Sequence, residues 1–222
     1  MYHRIDAIKP TLPSLTQRLT VDPQDFAAQM RWIAAHGFHA VTQEQLYDAL
    51  IDGKTLPPKP VMVTFDDGYR DVFGKASTTI KRLGLHATAY VITDRISGPD
   101  ASFLTWSLLK GLERRWIEIG SHTLHHVELP RLSKAEAMHE LLASRRLLER
   151  RLGHPVQWFA CPAGKAGARA AELVRRAGYV LAVTTQPGAT QSASQPLLLH
   201  RYEILDTTGV RGLAGILSSV HY

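Results

Sequence analysis

The first group of residues that can do chemistry is a pair of adjacent carboxylates. Residues 64–68, Thr-Phe-Asp-Asp-Gly, follow an apolar, β-branched stretch and contain Asp66 and Asp67. Neighbouring side chains of an extended strand point in opposite directions, so one aspartate can bind a cation while the other remains free as a base. By itself, Asp-Asp-Gly is more typical of a turn than of a catalytic site.

The second group is a histidine cluster. Residues 120–126, Gly-Ser-His-Thr-Leu-His-His, also follow an apolar stretch. His122 and His126 are four residues apart, a spacing that suits convergence on one metal ion. Two imidazoles and one carboxylate are a common zinc ligand set that leaves positions for water and substrate. A histidine cluster alone is more typical of a polar surface, but both groups at strand ends of one chain favour a metal site.

Alternating helix and strand signals surround these two groups. Helix-start signals stand at Asp22-Pro23 and at two capping boxes, which open at Thr42 and Ser133. Helices are predicted at 22–36, 42–53, 72–83, 108–114, 133–152, 165–177 and in the C-terminal tail. Strands are predicted at 61–65, 87–92, 116–119, 158–160, 179–183 and 197–204. This alternation predicts a mostly parallel sheet covered by helices, whose strand ends carry the site.

Length and composition predict one globular domain. The chain has 222 residues, of which 45% are hydrophobic and 21% charged, and its single cysteine, Cys161, excludes an internal disulfide framework. No apolar run approaches the roughly 20 residues of a transmembrane helix. Residues 1–5, Met-Tyr-His-Arg-Ile, do not resemble a signal peptide, so the chain is either cytoplasmic or lacks an upstream segment; its abrupt first element favours truncation.

The net charge of +6 could indicate an anionic partner. The basic residues are scattered, however, and Arg145, Arg146, Arg150 and Arg151 lie on one predicted helix, where a solvated face explains them. No nucleic-acid motif accompanies the charge, and we expect no nucleic-acid partner.

The two motifs together resemble the polysaccharide deacetylases of the NodB-homology type. Residues 64–68 and 120–123, with His126 and Leu129, carry the resemblance, and weaker matches are found at residues 2–4, 26–37, 103–106 and 177–179. The resemblance is closest to the poly-N-acetylglucosamine deacetylase-like subgroup. It implies a single catalytic domain over residues 1–222, folded as an α/β, distorted, partly open (β/α)7-type barrel.

The resemblance also implies the roles of individual residues. Asp67, His122 and His126 match the metal ligands, and Asp66 matches the general base. The implied cofactor is Zn2+ or another divalent metal such as Co2+ or Ni2+. His125 stands where the family often has threonine, and it is not counted as a ligand.

The third family motif departs from its usual form. Relatives carry Arg-x-Pro-Tyr-Gly or Phe-Ala-Tyr-Pro-Tyr-Gly, whereas residues 159–164 are Phe-Ala-Cys-Pro-Ala-Gly. Ala160 stands where an arginine would brace the catalytic aspartate. Ala163 replaces the tyrosine but keeps the backbone N–H that serves the oxyanion hole, so the change affects activity or preference rather than the metal site.

The general acid and the sugar contacts are less fixed by the motifs. His200 matches the histidine of a late Leu-x-His motif, yet the same segment resembles a Leu-Pro-Arg strand in which Arg201 is the matching residue. His3 is a second candidate acid, with packing as its alternative. Trp106 matches a loop near the family's groove, where it would stack on a sugar ring or serve as a core residue. The other histidines are expected at the surface or at helix ends: His36, His39, His86, His139, His154 and His221.

The expected activity is metal-dependent removal of N-acetyl groups from a polysaccharide containing N-acetylglucosamine, such as poly-N-acetylglucosamine, a chitin-like polymer or the peptidoglycan glycan. Two alternatives stay open: an O-acetyl esterase acting on acetylated glycans, and a non-catalytic carbohydrate-binding relative. The family resemblance implies a secreted or cell-envelope location, while the absence of a signal peptide keeps a cytoplasmic one open.

Overall fold

The computed structural model describes residues 1–220, so His221 lies outside the described residues. The helices are α1 (Ser14–Arg18), α2 (Pro23–Ala35), α3 (Gln43–Asp52), α4 (Ser77–Arg82), α5 (Trp106–Glu113), α6 (Lys134–Leu152), α7 (Ala168–Arg176) and α8 (Gly209–Ser218). The strands are β1 (Arg4–Ile5), β2 (Thr20–Val21), β3 (His39–Ala40), β4 (Pro60–Val61), β5 (Thr64–Phe65), β6 (Ala87–Val91), β7 (Ile117–Ser121), β8 (Trp158–Ala160) and β9 (Leu181–Val183). None of the helices in this part of the chain is long and apolar enough to cross a membrane.

Local side-chain chemistry explains where the main helices begin and end. The Asp22 side chain accepts the Gln24 N–H at the start of α2, and complete capping boxes open α3 at Thr42 and α6 at Ser133. Gly53 and Gly153 end α3 and α6 in the left-handed conformation that glycine adopts without strain. The helix predictions that rest on these signals are confirmed.

The central sheet is parallel and curls on itself. Strands β5 to β9 pair in chain order, with α4, α5, α6 and α7 among the elements that connect them. Tyr2 extends the sheet beside Phe65, and Leu199 extends it beside Val183. The Ile204 N–H donates to the Met1 carbonyl at 2.9 Å, which brings the two extended edges together. The curled parallel sheet with outer helices confirms the predicted fold class.

Side chains alternate between the two faces of the curled sheet. On β6, Ala87, Ala89 and Val91 join the large core between the sheet and the helices. Tyr90 points the other way, into a smaller apolar cluster with Leu181 and Val183. The large core fixes the strands, so their carboxyl ends present residues to a common edge.

Three predicted elements differ from the structure. The predicted strand at 61–65 is two short strands in different sheets, because β4 pairs with β3 while β5 pairs with β6. The helix predicted at 72–83 starts as a π-helical turn at Val72–Ala76 before α4. The strand predicted at 197–204 makes only the isolated bridge at Leu199, since its remaining residues form hydrogen bonds outside regular strand pairing.

Candidate active site and metal centre

Asp66 lies directly after β5, buried and ionised. Its side chain is 2% exposed, and its N–H donates to the Tyr2 carbonyl at 2.9 Å. Arg201 donates to both carboxylate oxygens at 2.7 Å each. Burial alone would raise the pKa of Asp66, but the Arg201 charge and hydrogen bonds hold this pKa well below its usual range.

Arg201 is the residue whose role the sequence did not reveal. It is buried, and it also donates to the Thr184 carbonyl at 2.9 Å and to the Thr64 hydroxyl at 3.1 Å. The third motif has Ala160 where an arginine would brace the aspartate. In the structure Arg201, which comes after β9, makes that contact instead. The match of Arg201 to a Leu-Pro-Arg strand was the only signal in the sequence.

Asp67, His122 and His126 converge at the same edge of the sheet. The Asp67 Oδ1 atom lies 3.5 Å from His122 Nε2 and 3.6 Å from His126 Nε2. One ligand atom from each residue lies within 4.8 Å of the others. Asp67 Oδ1 is buried, and no residue among 1–220 forms a hydrogen bond with it. An unpaired buried carboxylate oxygen facing two imidazole nitrogens fits a divalent cation of the zinc type.

Burial in this cluster disfavours the charged form of each of its three residues. Burial, followed by the negative charge of Asp66, raises the pKa of Asp67 to about 7. Burial lowers the pKa of His122 to about 4 and also lowers that of His126. The imidazoles are therefore neutral and able to ligate, while a bound cation would compensate the charge of Asp67.

Hydrogen bonds to neighbouring groups orient the two histidines of the cluster. His122 Nδ1 lies 2.8 Å from the Ala160 carbonyl, so Nδ1 carries the proton and Nε2 is left to face Asp67. The backbone N–H of His126 donates to the Thr123 hydroxyl at 2.9 Å. Thr123 and His126 both have left-handed backbone angles, with φ of 65° and 63°, and such strain at non-glycine residues is found where a site requires a particular geometry.

Glu140 of α6 holds the histidine loop. Its Oε2 atom accepts the N–H groups of Leu124 and His125 at 3.1 and 3.0 Å. Its Oε1 atom lies 2.7 Å from His125 Nδ1. The His125 side chain and backbone are thus both held by Glu140.

The other predicted site residues are placed less directly. Ala163 is exposed just beyond β8, with a left-handed φ of 51°. Trp106 opens α5, packs partly against the large core, and has the Arg151 guanidinium 5.2 Å from its ring centre. No described contact joins Trp106 to the Asp–His cluster, so its role as a sugar platform stays a prediction.

His200 and His3, the two candidate acids, differ in position. The His200 backbone exchanges hydrogen bonds with the Gln191 side chain, and no hydrogen bond or ion pair described for residues 1–220 links His200 to Asp66 or to the three ligands. His3 is 9% exposed, and its Nδ1 atom is buried without a described partner. Burial lowers the pKa of His3 to about 4, and His3 directly follows Tyr2, whose carbonyl accepts the Asp66 N–H at 2.9 Å.

Comparison with known proteins identifies the class. Residues 53–182 match the sequence profile of the polysaccharide deacetylases. The chain belongs to the polysaccharide deacetylase family, as its motifs predicted. The family model and the fold together establish a NodB-type domain.

Individual relatives cover most of the chain at moderate identity. YxkH of Bacillus subtilis, whose name places it among polysaccharide deacetylases, is 29% identical over 214 residues, covering 96% of this chain and 72% of that protein. A poly-beta-1,6-N-acetyl-D-glucosamine N-deacetylase of Staphylococcus epidermidis is 24% identical over 147 residues, covering 60% of this chain. The matched region spans 50% of that staphylococcal protein.

Solved structures agree on the fold. The Streptococcus pyogenes deacetylase PplD, solved in complex with acetate, has a TM-score of 0.89 and 27% identity, covering 97% of this chain and 95% of PplD. IcaB from Ammonifex degensii has a TM-score of 0.85 at 22% identity, covering 98% of this chain and 95% of IcaB, and supports the fold alone.

Proposed function

We propose that this protein is a metal-dependent hydrolase that removes N-acetyl groups from a polysaccharide containing N-acetylglucosamine. The observation that carries the proposal is a buried, ionised Asp66 next to the converging Asp67, His122 and His126. A metal site with a purely structural role has no need of a second, braced carboxylate. This argues against the non-catalytic carbohydrate-binding alternative.

The proposed metal ligands are Asp67, His122 and His126, and the proposed cofactor is Zn2+ or another divalent ion such as Co2+ or Ni2+. When bound, such an ion polarises an acyl carbonyl and acidifies water. The ligand types support a borderline divalent cation, since two imidazoles and one carboxylate suit it.

Asp66 is the proposed general base. Arg201 keeps Asp66 ionised at neutral pH, which is the state that can accept a proton from the attacking water, while the lowered pKa limits its strength as a base. Arg201 occupies one acceptor position on each carboxylate oxygen, and each oxygen keeps a second lone pair for water. The arginine therefore orients the base without using up its acceptor capacity.

Two further roles in the reaction are those of the oxyanion donor and the general acid. The Ala163 N–H is the proposed donor to the developing oxyanion, a contribution of roughly 3–4 kcal/mol for a well-placed donor. The C–N bond then breaks and a general acid protonates the amine, giving acetate and a free amino sugar. His200 and His3 are the candidate acids, and because burial lowers the pKa of His3 to about 4, His3 can serve as the acid only after it takes up a proton within the site.

The relatives support the substrate class. The staphylococcal relative is named for removing N-acetyl groups from poly-beta-1,6-N-acetyl-D-glucosamine, and PplD was solved with acetate, the expected acid product. We extend this class of substrate to the present chain, as a catalytic domain over residues 1–222 acting at the cell envelope or outside the cell. An O-acetyl esterase is the second candidate, because His200 has no described contact with the cluster and an ester leaving group needs less help from an acid.

The test is acetate release from N-acetylglucosamine oligomers by metal-free, zinc-loaded and chelated protein. We expect release only in the zinc-loaded sample, and a loss of about 10²–10⁴-fold in Asp66→Asn with zinc still bound. Full activity in Asp66→Asn would remove Asp66 from the mechanism. An acetyl ester assayed in parallel separates the esterase, which would cleave the ester and leave the amide intact.

A further inference from the structure

A cavity of about 580 Å3 lies away from the metal cluster, at the amino ends of the strands. Its lining includes Ile117 at the start of β7, whereas Ser121 at the other end of β7 precedes the ligand His122. The four residue steps of this strand span about 13 Å. The cavity is therefore separate from the candidate active site.

Aromatic rings form part of this cavity. Trp116 is 45% exposed, and its ring stacks on His86 with centres 5.5 Å apart. Trp158 and Tyr47 also line the cavity, with ring centres 6.5 Å apart. An exposed indole in a concave surface offers the flat apolar face against which the C–H face of a sugar ring packs.

Four carboxylates line the same cavity: Glu44, Asp48, Glu113 and Glu118. Two of them have a basic partner within the protein. Asp48 forms an ion pair with Lys54 at 2.8 Å, and Glu113 lies 2.6 Å from His154 Nε2. The remaining two form no ion pair with any of residues 1–220, so the cavity has a negative character although the whole chain is positive.

Glu118 is the more informative of the two carboxylates without an ion-pair partner. It is half-buried on β7, and its Oε2 atom accepts hydrogen bonds from the Gln43 backbone N–H at 2.7 Å and from the Thr88 hydroxyl at 3.4 Å. No lysine, arginine or histidine among residues 1–220 forms an ion pair with Glu118, while nearby Glu44 adds a like charge. Burial, with a smaller contribution from the Glu44 charge, raises the pKa of Glu118, while its hydrogen bonds act in the opposite direction. These hydrogen bonds hold the carboxylate in place but bring no positive charge to it, so a cationic group in the cavity would be attracted to Glu118 and Glu44.

We infer that this cavity binds an amino sugar whose nitrogen carries a positive charge, that is, a sugar unit of the glycan without its acetyl group. The inference rests on the proposed function, because such units are the product of N-deacetylation. The ammonium group would pair with Glu118 and Glu44, and the ring would pack on Trp116. An N-acetylated unit has no charge at this position, so the cavity distinguishes product from substrate.

The first test uses the tryptophan indole N–H signals of the full chain in NMR spectra, since the protein has only four tryptophans. The probes are a β-linked glucosamine tetramer and its fully N-acetylated counterpart. We expect the glucosamine tetramer to shift the signals of Trp116 and Trp158 and to leave Trp32 unchanged. Equal shifts with both tetramers, or no shift of Trp116 with either, would overturn the inference.

Matched variants give the second test. Glu118→Gln and Trp116→Ala should each weaken binding of the glucosamine tetramer about tenfold or more, because each removes one of the two contacts. Glu172→Gln is the control, since it removes one exposed carboxylate from α7 and should bind like the unaltered protein. If Trp116→Ala does not fold, Trp116→Phe takes its place in the binding measurement, since it keeps a smaller aromatic ring. Unchanged affinity in folded Glu118→Gln would exclude the proposed ammonium contact.

Failure of the inference and failure of the proposed function give different results. If zinc-loaded protein releases no acetate but the glucosamine tetramer still shifts Trp116, the cavity binds amino sugars and the proposed reaction is wrong. If acetate is released and Trp116 does not respond, the reaction stands and the cavity has no such ligand.

Discussion

At the scale of single residues, the pair of Asp66 and Arg201 determines what the site can do. Both side chains are buried and they share two hydrogen bonds of 2.7 Å. Removing one partner of a buried pair leaves an uncompensated charge, which costs far more than removing both. This gives the pair a measurable signature that is independent of substrate.

We expect Arg201→Met to lower the free energy of unfolding by about 3–5 kcal/mol at pH 7 in metal-free protein. The difference should shrink as the pH falls below about 4. Because the folded-state pKa of Asp66 is lowered, its ionised form stabilises the unaltered protein at pH values above the unfolded-state pKa, and this stabilisation is lost on acidification. In the Arg201→Met variant, acidification neutralises the buried Asp66, which then needs no charged partner. Urea unfolding at several pH values measures both effects.

The double variant Asp66→Asn/Arg201→Met is the control for this prediction. It removes both charges, so it should recover a large part of the stability lost in Arg201→Met, and a double-mutant cycle gives the coupling energy. Additive losses in the cycle would contradict the buried pair.

At the scale of elements, α6 positions the histidine loop through Glu140. We expect Glu140→Ala to weaken zinc binding by about 10–100-fold, because the loop loses three hydrogen bonds that fix the position of His126. Isothermal titration with zinc measures the change. Glu136→Ala, one turn earlier on the same helix, removes only the capping box and should reduce stability while leaving zinc affinity unchanged. If both variants bound zinc with equal affinity, contacts other than those of Glu140 would hold the histidine loop in place.

The elements also show how far the sequence could predict the structure. Helices α2, α3 and α6 were predictable because their caps are local, within three residues of the helix start. The meeting of the aspartate pair with His122 and His126 followed from strand-end positions in a parallel sheet, whereas the choice of Asp67 as the ligand came from the family resemblance. The pairing of Arg201 with Asp66 joins residues 135 positions apart, and no local pattern encodes such a contact. The split of the stretch at 61–65 depends on which neighbour each half pairs with, which is equally non-local.

At the scale of the whole molecule, the metal cluster should couple binding to folding. Zinc at 1,000 times its dissociation constant stabilises the folded state by about 4.1 kcal/mol. For a domain of this length, this corresponds to a rise in Tm of about 8–16 °C. Differential scanning calorimetry with zinc and with a chelator measures it.

The control for this thermal shift is His122→Ala, which removes one of the three proposed ligands. We expect most of the zinc-dependent rise in Tm to disappear in this variant. An undiminished rise would mean that zinc stabilises the protein from another place.

The closing of the curled sheet has a consequence for biosynthesis. Asp66 leaves the ribosome long before Arg201, and at 5–20 residues per second the 135 positions between them take about 7–27 s to synthesise. During that interval the aspartate has no guanidinium to accompany it into the interior, and burying it alone is unfavourable. We therefore expect the nascent chain to keep the sheet open around Asp66 until its final segments emerge, and a truncated translation product to contain both metal-site motifs and still lack an organised base.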